Sequence, residues 1–220
     1  MAVNDKLDGA DTKKYTTLEK EASAEFVEKK SVFIGHAKPV RTDEEALEFI
    51  KRIKEKYADA THNVYAYYLR GGAMARYSDD NEPQGTAGVP ILEVIKKSGC
   101  DDCVVVVTRY FGGILLGAGG LVRAYANAAS LALNAANIVT FEQYTVFSLS
   151  CDYSEYNRLN FELESFDAII DKCDFADKVS LQFAVKDVLA DNVSKKIAEI
   201  SGGKIICTTI FHRFDAKKKS

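Results

Sequence analysis

Arg109, Tyr110, Gly112, Gly113, Gly117, Gly119, Gly120 and Arg123 lie between a run of four valines, Val104 to Val107, and an alanine-rich stretch from Leu121 to Ala136. A glycine loop that ends on a helix N-terminus leaves backbone N–H groups free, with the positive end of the helix dipole behind them. Two arginines flanking such a loop suit an anion, a phosphate above all. The competing reading is architectural: the glycines let helix and sheet approach and turn the chain. Both readings stand at this point. No Gly-Lys-Ser/Thr follows the loop, which excludes a Walker A motif, and Val122 stands where the dinucleotide pattern needs its third glycine.

Three acids upstream, Asp79, Asp80 and Glu82, have the chemistry of a divalent-cation site or of ion-pair partners for Arg109 or Arg123. His62 precedes a strand and suits a polar, hydrogen-bonding role; with three histidines in the chain, no His-based metal site is expected. Cys100 and Cys103 have the spacing of a redox or zinc half-site. They lead into a strand rather than a helix, two aspartates between them raise the thiol pKa, and no second pair supplies zinc ligands, so they read as reduced structural thiols. Tyr65, Tyr67, Tyr68, Tyr77 and Tyr110 would stack bases if exposed and fill a sheet face if not.

These residues need elements to place them. The valines read as a strand buried on both faces, and the alanine-rich run as a central helix, apolar nearly all round. Tyr15 to Ile34 holds two strand candidates, the clearer continuing to Ala37. Thr42 with Glu45 forms a capping box opening a helix whose apolar face is Ala46, Phe49, Ile50, Ile53 and Tyr57. A strand over 64–69, a turn at Gly71-Gly72 and a return strand over 74–78 lead to the acidic loop. A short helix then has Pro90 in its first turn and Gly99 past its end.

Beyond residue 143 the pattern is β-α-β-β-α-β, the ferredoxin-like arrangement. Asp152 with Glu155 opens its first helix, Asp187 caps its second, and Ile205 to Phe214 forms its last strand. The chain is therefore α+β with two domains, 15–140 and 141–214, a frayed segment over 1–14 and a basic tail over 215–220.

At 47% apolar residues and a formal net charge of −3, the chain has ample core and is no general polyanion coat. Five scattered cysteines point to a reducing compartment, and no leader or membrane-length apolar run is evident. A cytoplasmic location is expected.

Three stretches carry a resemblance: Tyr77 to Gly88, Val105 to Gly113 and Leu116 to Tyr125 are similar to the signature blocks of the Impact family. Ala60 to Tyr67 and Lys30 to Gly35 fit the same family, and the whole chain resembles its two-domain bacterial branch. Asn81 stands where the family usually has glycine, so the turn there needs a left-handed asparagine. Ala118 replaces a common threonine. The resemblance implies an N-terminal domain with the fold shared by a small-subunit ribosomal protein, domain IV of elongation factor G and the GHMP kinases. It implies a second domain similar to domain V of that factor. It also implies a link to translational control, which in eukaryotes runs through protein partners.

The expectation is a non-enzymatic protein that binds RNA, the ribosome or a translation-associated protein through the glycine loop, Arg109, Tyr110 and Arg123. No cofactor, metal or membrane is expected. The alternative is a phosphate-handling enzyme of GHMP-kinase-like fold, with Asp79, Asp80 and Glu82 supplying magnesium or a base. Arg109→Ala is expected to remove binding and spare the fold.

Overall fold

Four β-branched residues in a row suit a pleated strand covered on both faces, and in the computed structural model Cys103–Tyr110 (β6) is such a strand, buried from Cys103 to Arg109. The structure describes residues 14–70 and 74–216. The Gly71-Gly72 turn, residues 1–13 of the expected frayed segment and the Lys217 to Lys219 tail lie outside them.

The chain divides into two units, one ending at Thr140 and the other beginning at Phe141. In the first, β6 is the middle strand of an antiparallel sheet ordered β2-β3-β6-β4-β5, where β2 is Ala22–Glu28, β3 Ser31–Pro39, β4 His62–Leu69 and β5 Met74–Ser78. Helix α1 (Asp43–Lys56) covers one face, packing Ala46, Phe49, Ile50 and Ile53 on Val104, Val106 and Tyr67. Thr42 Oγ1 accepts from the Glu45 N–H, while Glu45 reaches back to the Arg41 N–H. Helices α2 (Gly88–Ser98) and α3 (Ala118–Ala135) cover the other face through Ile91, Ile95, Tyr125, Ala128 and Leu133 on Val105 and Val107.

Three expectations change here. Residues 15–34 hold parts of three strands, since Lys14–Leu18 (β1) precedes β2. Helix α3 begins at Ala118, before Leu121, and it is one-sided: Leu121, Ala124, Tyr125 and Ala128 are buried, while Val122, Arg123 and Asn127 face solvent. Alanine is small enough for either face, so an alanine-rich helix reads as apolar all round when only one stripe packs. Asn81 takes the left-handed conformation its position demands, with φ 68°.

In the second unit, β7 (Ile138–Cys151), α4 (Tyr153–Ser165), β8 (Ile169–Phe175), β9 (Val179–Lys186), α5 (Ala190–Ile200) and β10 (Thr208–Ala216) follow in order. The strands pair antiparallel as β10-β7-β9-β8. Asp152 and Glu155 cap α4 reciprocally. Asp187 does not cap α5: a 3-10 turn over Asp187–Leu189 intervenes, and the carboxylate accepts from Thr145 Oγ1 at 2.6 Å beside His212. The last strand starts at Thr208, three residues after Ile205. Among the described residues no helix is long and apolar enough to cross a membrane.

Candidate functional site

Strand register brings the first site residues together. Phe33, Arg109 and His62 occupy one row across β3, β6 and β4. Because strand side chains alternate, all three point to the face that carries α3, which adds Tyr125 from above. The acidic loop closes the cluster with Glu82.

Arg109 is 5% exposed and Glu82 8%. Arg109 Nη1 donates to Glu82 Oε1 at 2.5 Å, and the Tyr125 hydroxyl donates to the same oxygen at 2.7 Å. The guanidinium lies between the rings of Phe33 and Phe111, each 5.4 Å from its carbon centre. Its Nε is buried without a hydrogen-bond partner. Burial, then the bond to Glu82, push the Tyr125 phenol far up from its ordinary value, so it stays a donor. His62 Nδ1 sits 2.8 Å from the Asp80 carbonyl, which only accepts, so Nδ1 carries a proton; Nε2 lies 3.7 Å from Glu82.

The other two carboxylates also have protein partners. Asp79 accepts from the N–H groups of Gly85, Ala87 and Gly88 at 2.9, 3.2 and 2.8 Å, fastening the loop to the start of α2. Asp80 accepts from the Asn63 N–H at 2.6 Å and from Lys54 at 2.7 Å. The three acids therefore act as acceptors within the fold. Among the described residues, no group of three or more His, Cys, Asp and Glu side chains stands where a metal ion could be held.

The remaining candidates lie elsewhere. Arg123 is exposed on the first turns of α3, with Gly119 beside it, and shares no anion site with buried Arg109. The Tyr110 hydroxyl donates to Asp59 at 2.9 Å. Gly112 is needed for close approach, since a Cβ there would sit 2.0 Å from the Lys30 carbonyl carbon. Gly113 and Gly117 have φ of 83° and 73°, and a Cβ on Gly120 would lie 2.9 Å from that of Leu116. Cys100 and Cys103 are both buried; the hydrogen bond between them and burial push the Cys103 thiol up. Among the tyrosines, Tyr67 is buried and Tyr77 exposed.

Several residues escaped sequence reasoning. Tyr125 was detectable as an inward position one turn after Leu121. Phe33 and Phe111 meet Arg109 only through pairing and loop geometry. A second polar network, on the α1 face, joins Ser23, His36, Thr108 and Asn63 at 2.8, 3.5 and 2.7 Å. It has no local sequence signal.

Residues 29–133 match the Impact N-terminal domain, and residues 149–204 match a domain of unknown function, DUF1949. The IMPACT family member YvyE of Bacillus subtilis is 38% identical over 191 residues, spanning 86% of this chain and 88% of that protein. The IMPACT family member YigZ of Escherichia coli is 33% identical over 180 residues, spanning 80% and 88%. A crystal structure of a hypothetical protein superposes with a TM-score of 0.56 at 30% identity, covering 91% of this chain and 98% of that one. The signature blocks that build the Arg109–Glu82 cluster, together with likeness along most of the chain, make this protein a member of the IMPACT family in its bacterial, YigZ-like form.

Proposed function

We propose that this protein is a non-catalytic, cytoplasmic binding protein of the translation apparatus, contacting RNA, the ribosome or a translation-associated protein. One observation carries the reading. Within the signature blocks Arg109 and Glu82 are spent on a buried ion pair, while the glycine loop between β6 and α3 stands in solvent with Leu115 82% exposed. An enzyme keeps its acids and bases within reach of substrate. Here the buried charges brace two loops, and the exposed loop makes the contact. The β10-β7-β9-β8 order supports a ferredoxin-like second domain over 141–214. The antiparallel sheet with α2 and α3 on one face supports a ribosomal-protein-like first domain over 15–140. Family resemblance supplies the translational context; fold likeness alone would not. The GHMP-kinase-like alternative gains no observation, because its three carboxylates are engaged within the fold.

The test is sedimentation of the protein through a sucrose gradient with ribosomes and separated subunits, at low and moderate salt. Co-sedimentation that is lost in an Ile114→Asp, Leu115→Asp variant supports the proposal. Protein left at the top of the gradient both with ribosomes and with total RNA and ribosome-free cytosolic protein, or thermal stabilisation by ATP and magnesium, overturns it.

A further inference from the structure

The glycine loop, the turn between β2 and β3 and the first turns of α3 form one knuckle. Gly112 lies against the Lys30 carbonyl, and its N–H donates to Ser31 Oγ at 3.1 Å. Phe111, Ile114, Leu115 and Val122 expose 44, 41, 82 and 39% of their surface. Beside them is a pocket of about 280 Å³ whose floor includes Phe26, Leu116 and Ala124, and whose rim includes Lys29, Arg123 and Glu28. That volume falls just below the roughly 300–1,000 Å³ of small-molecule sites, which makes it a seat for one bulky side chain.

Lys29, Lys30 and Arg123 are exposed and form no ion pair with any described residue. Among the described residues lining the pocket, Glu28 supplies the one carboxylate. Lys29 and Lys30 also take φ of 45° and 65°, two left-handed residues in a two-residue hairpin loop between Glu28 and Ser31. Asn-Gly fills such a turn at least cost. A strained turn that presents two lysines points to use of their side chains.

We infer that this knuckle docks an acidic segment of a partner protein, which places one bulky apolar side chain in the pocket and its carboxylates on Lys29, Lys30 and Arg123. The aliphatic tips decide against nucleic acid. The Phe111 ring is held against the Arg109 guanidinium, 5.4 Å away, and Ile114, Leu115 and Val122 have no ring on which a base can stack, whereas apolar contact ringed by charge is the anatomy of a protein interface. The inference rests on the binding reading above, but not on its link to translation.

The experiment is a fluorescence-anisotropy titration of the full chain. Its probes are Glu/Asp-rich peptides with one Leu, Ile or Phe walked along the sequence, the same peptides with serine there, lysine-rich counterparts and an oligouridylate. Acidic peptides with an apolar anchor bind best. Their Kd rises at least about tenfold in the Lys29→Glu, Lys30→Glu double variant, in Arg123→Glu and in Leu115→Asp. Unchanged circular dichroism and melting show these variants folded, and Lys172→Glu on β8 leaves Kd unchanged. Failure of every acidic peptide to bind overturns the inference, as does equal binding by the charge-reversed variants. Oligouridylate binding that alone responds to those variants assigns the knuckle to nucleic acid and also overturns it. Ribosome co-sedimentation without peptide binding leaves the translational reading standing while this one falls; peptide binding without co-sedimentation does the reverse.

Discussion

Arg109, Glu82 and Tyr125 show how burial decides what a charged residue does. A buried ion pair gains little over apolar packing when whole, yet removing one partner strands the other charge. Arg109→Ala leaves the Glu82 carboxylate facing only Tyr125 and His62, and Glu82→Ala leaves a guanidinium whose Nε already lacks a partner. Each is expected to cost about 3–5 kcal/mol in urea denaturation. Tyr125→Phe removes a donor to the same charged oxygen at 2.7 Å, for about 1.5–3 kcal/mol.

His36 behaves differently because it is buried neutral. Burial, then Lys56 and Arg52 against an opposing Glu21, lower its pKa from 6.5 to about 4. Ser23, Thr108 and the Tyr57 ring complete its surroundings. A lowered histidine pKa means that the unfolded chain binds the proton first. Stability from this group is therefore full above 6.5 and falls as the pH drops towards 4. Melting temperatures recorded through that window should decline less steeply in His36→Gln.

At the level of elements, the glycines separate by what a Cβ would meet. Gly112→Ala drives its methyl to 2.0 Å from the Lys30 backbone, so loop and hairpin cannot both keep their places. The variant is expected to lose about 1–3 kcal/mol. On Gly119, in the first turn of α3, a Cβ meets only the Arg123 side chain at 3.6 Å. There alanine improves helix propensity, and a gain of about 0.5–1 kcal/mol is expected from the same thermal melts. Strands β5 and β6, and helices α1, α2 and α4, were legible because a valine run, turn residues, caps and terminal glycines are local signals. The cluster was half legible. Arg109 and Glu82 could be named as partners from their types, but Phe33 and His62 join them only through the β3-β6-β4 register. The long-range pairing that sets that register leaves no mark in any one segment. Nor did the sequence reveal which arginine faces water, since that depends on which side of β6 receives α3.

For the molecule as a whole, the first unit places its buried, charged brace under the sheet-facing side of α3 and its exposed apolar and cationic side chains outside, on a loop and a tight turn. The family's signature blocks are then a folding requirement that presents a contact surface. The most direct measurement is a double-mutant cycle in equilibrium denaturation, comparing wild type, Arg109→Ala, Glu82→Ala and the double variant. Each single change is predicted to cost about 3–5 kcal/mol, and the double variant much less than their sum, because neither charge is then stranded. An Arg109→Ala protein as stable as wild type, or additive losses, would contradict the account and return Arg109 to the list of ligand-binding residues.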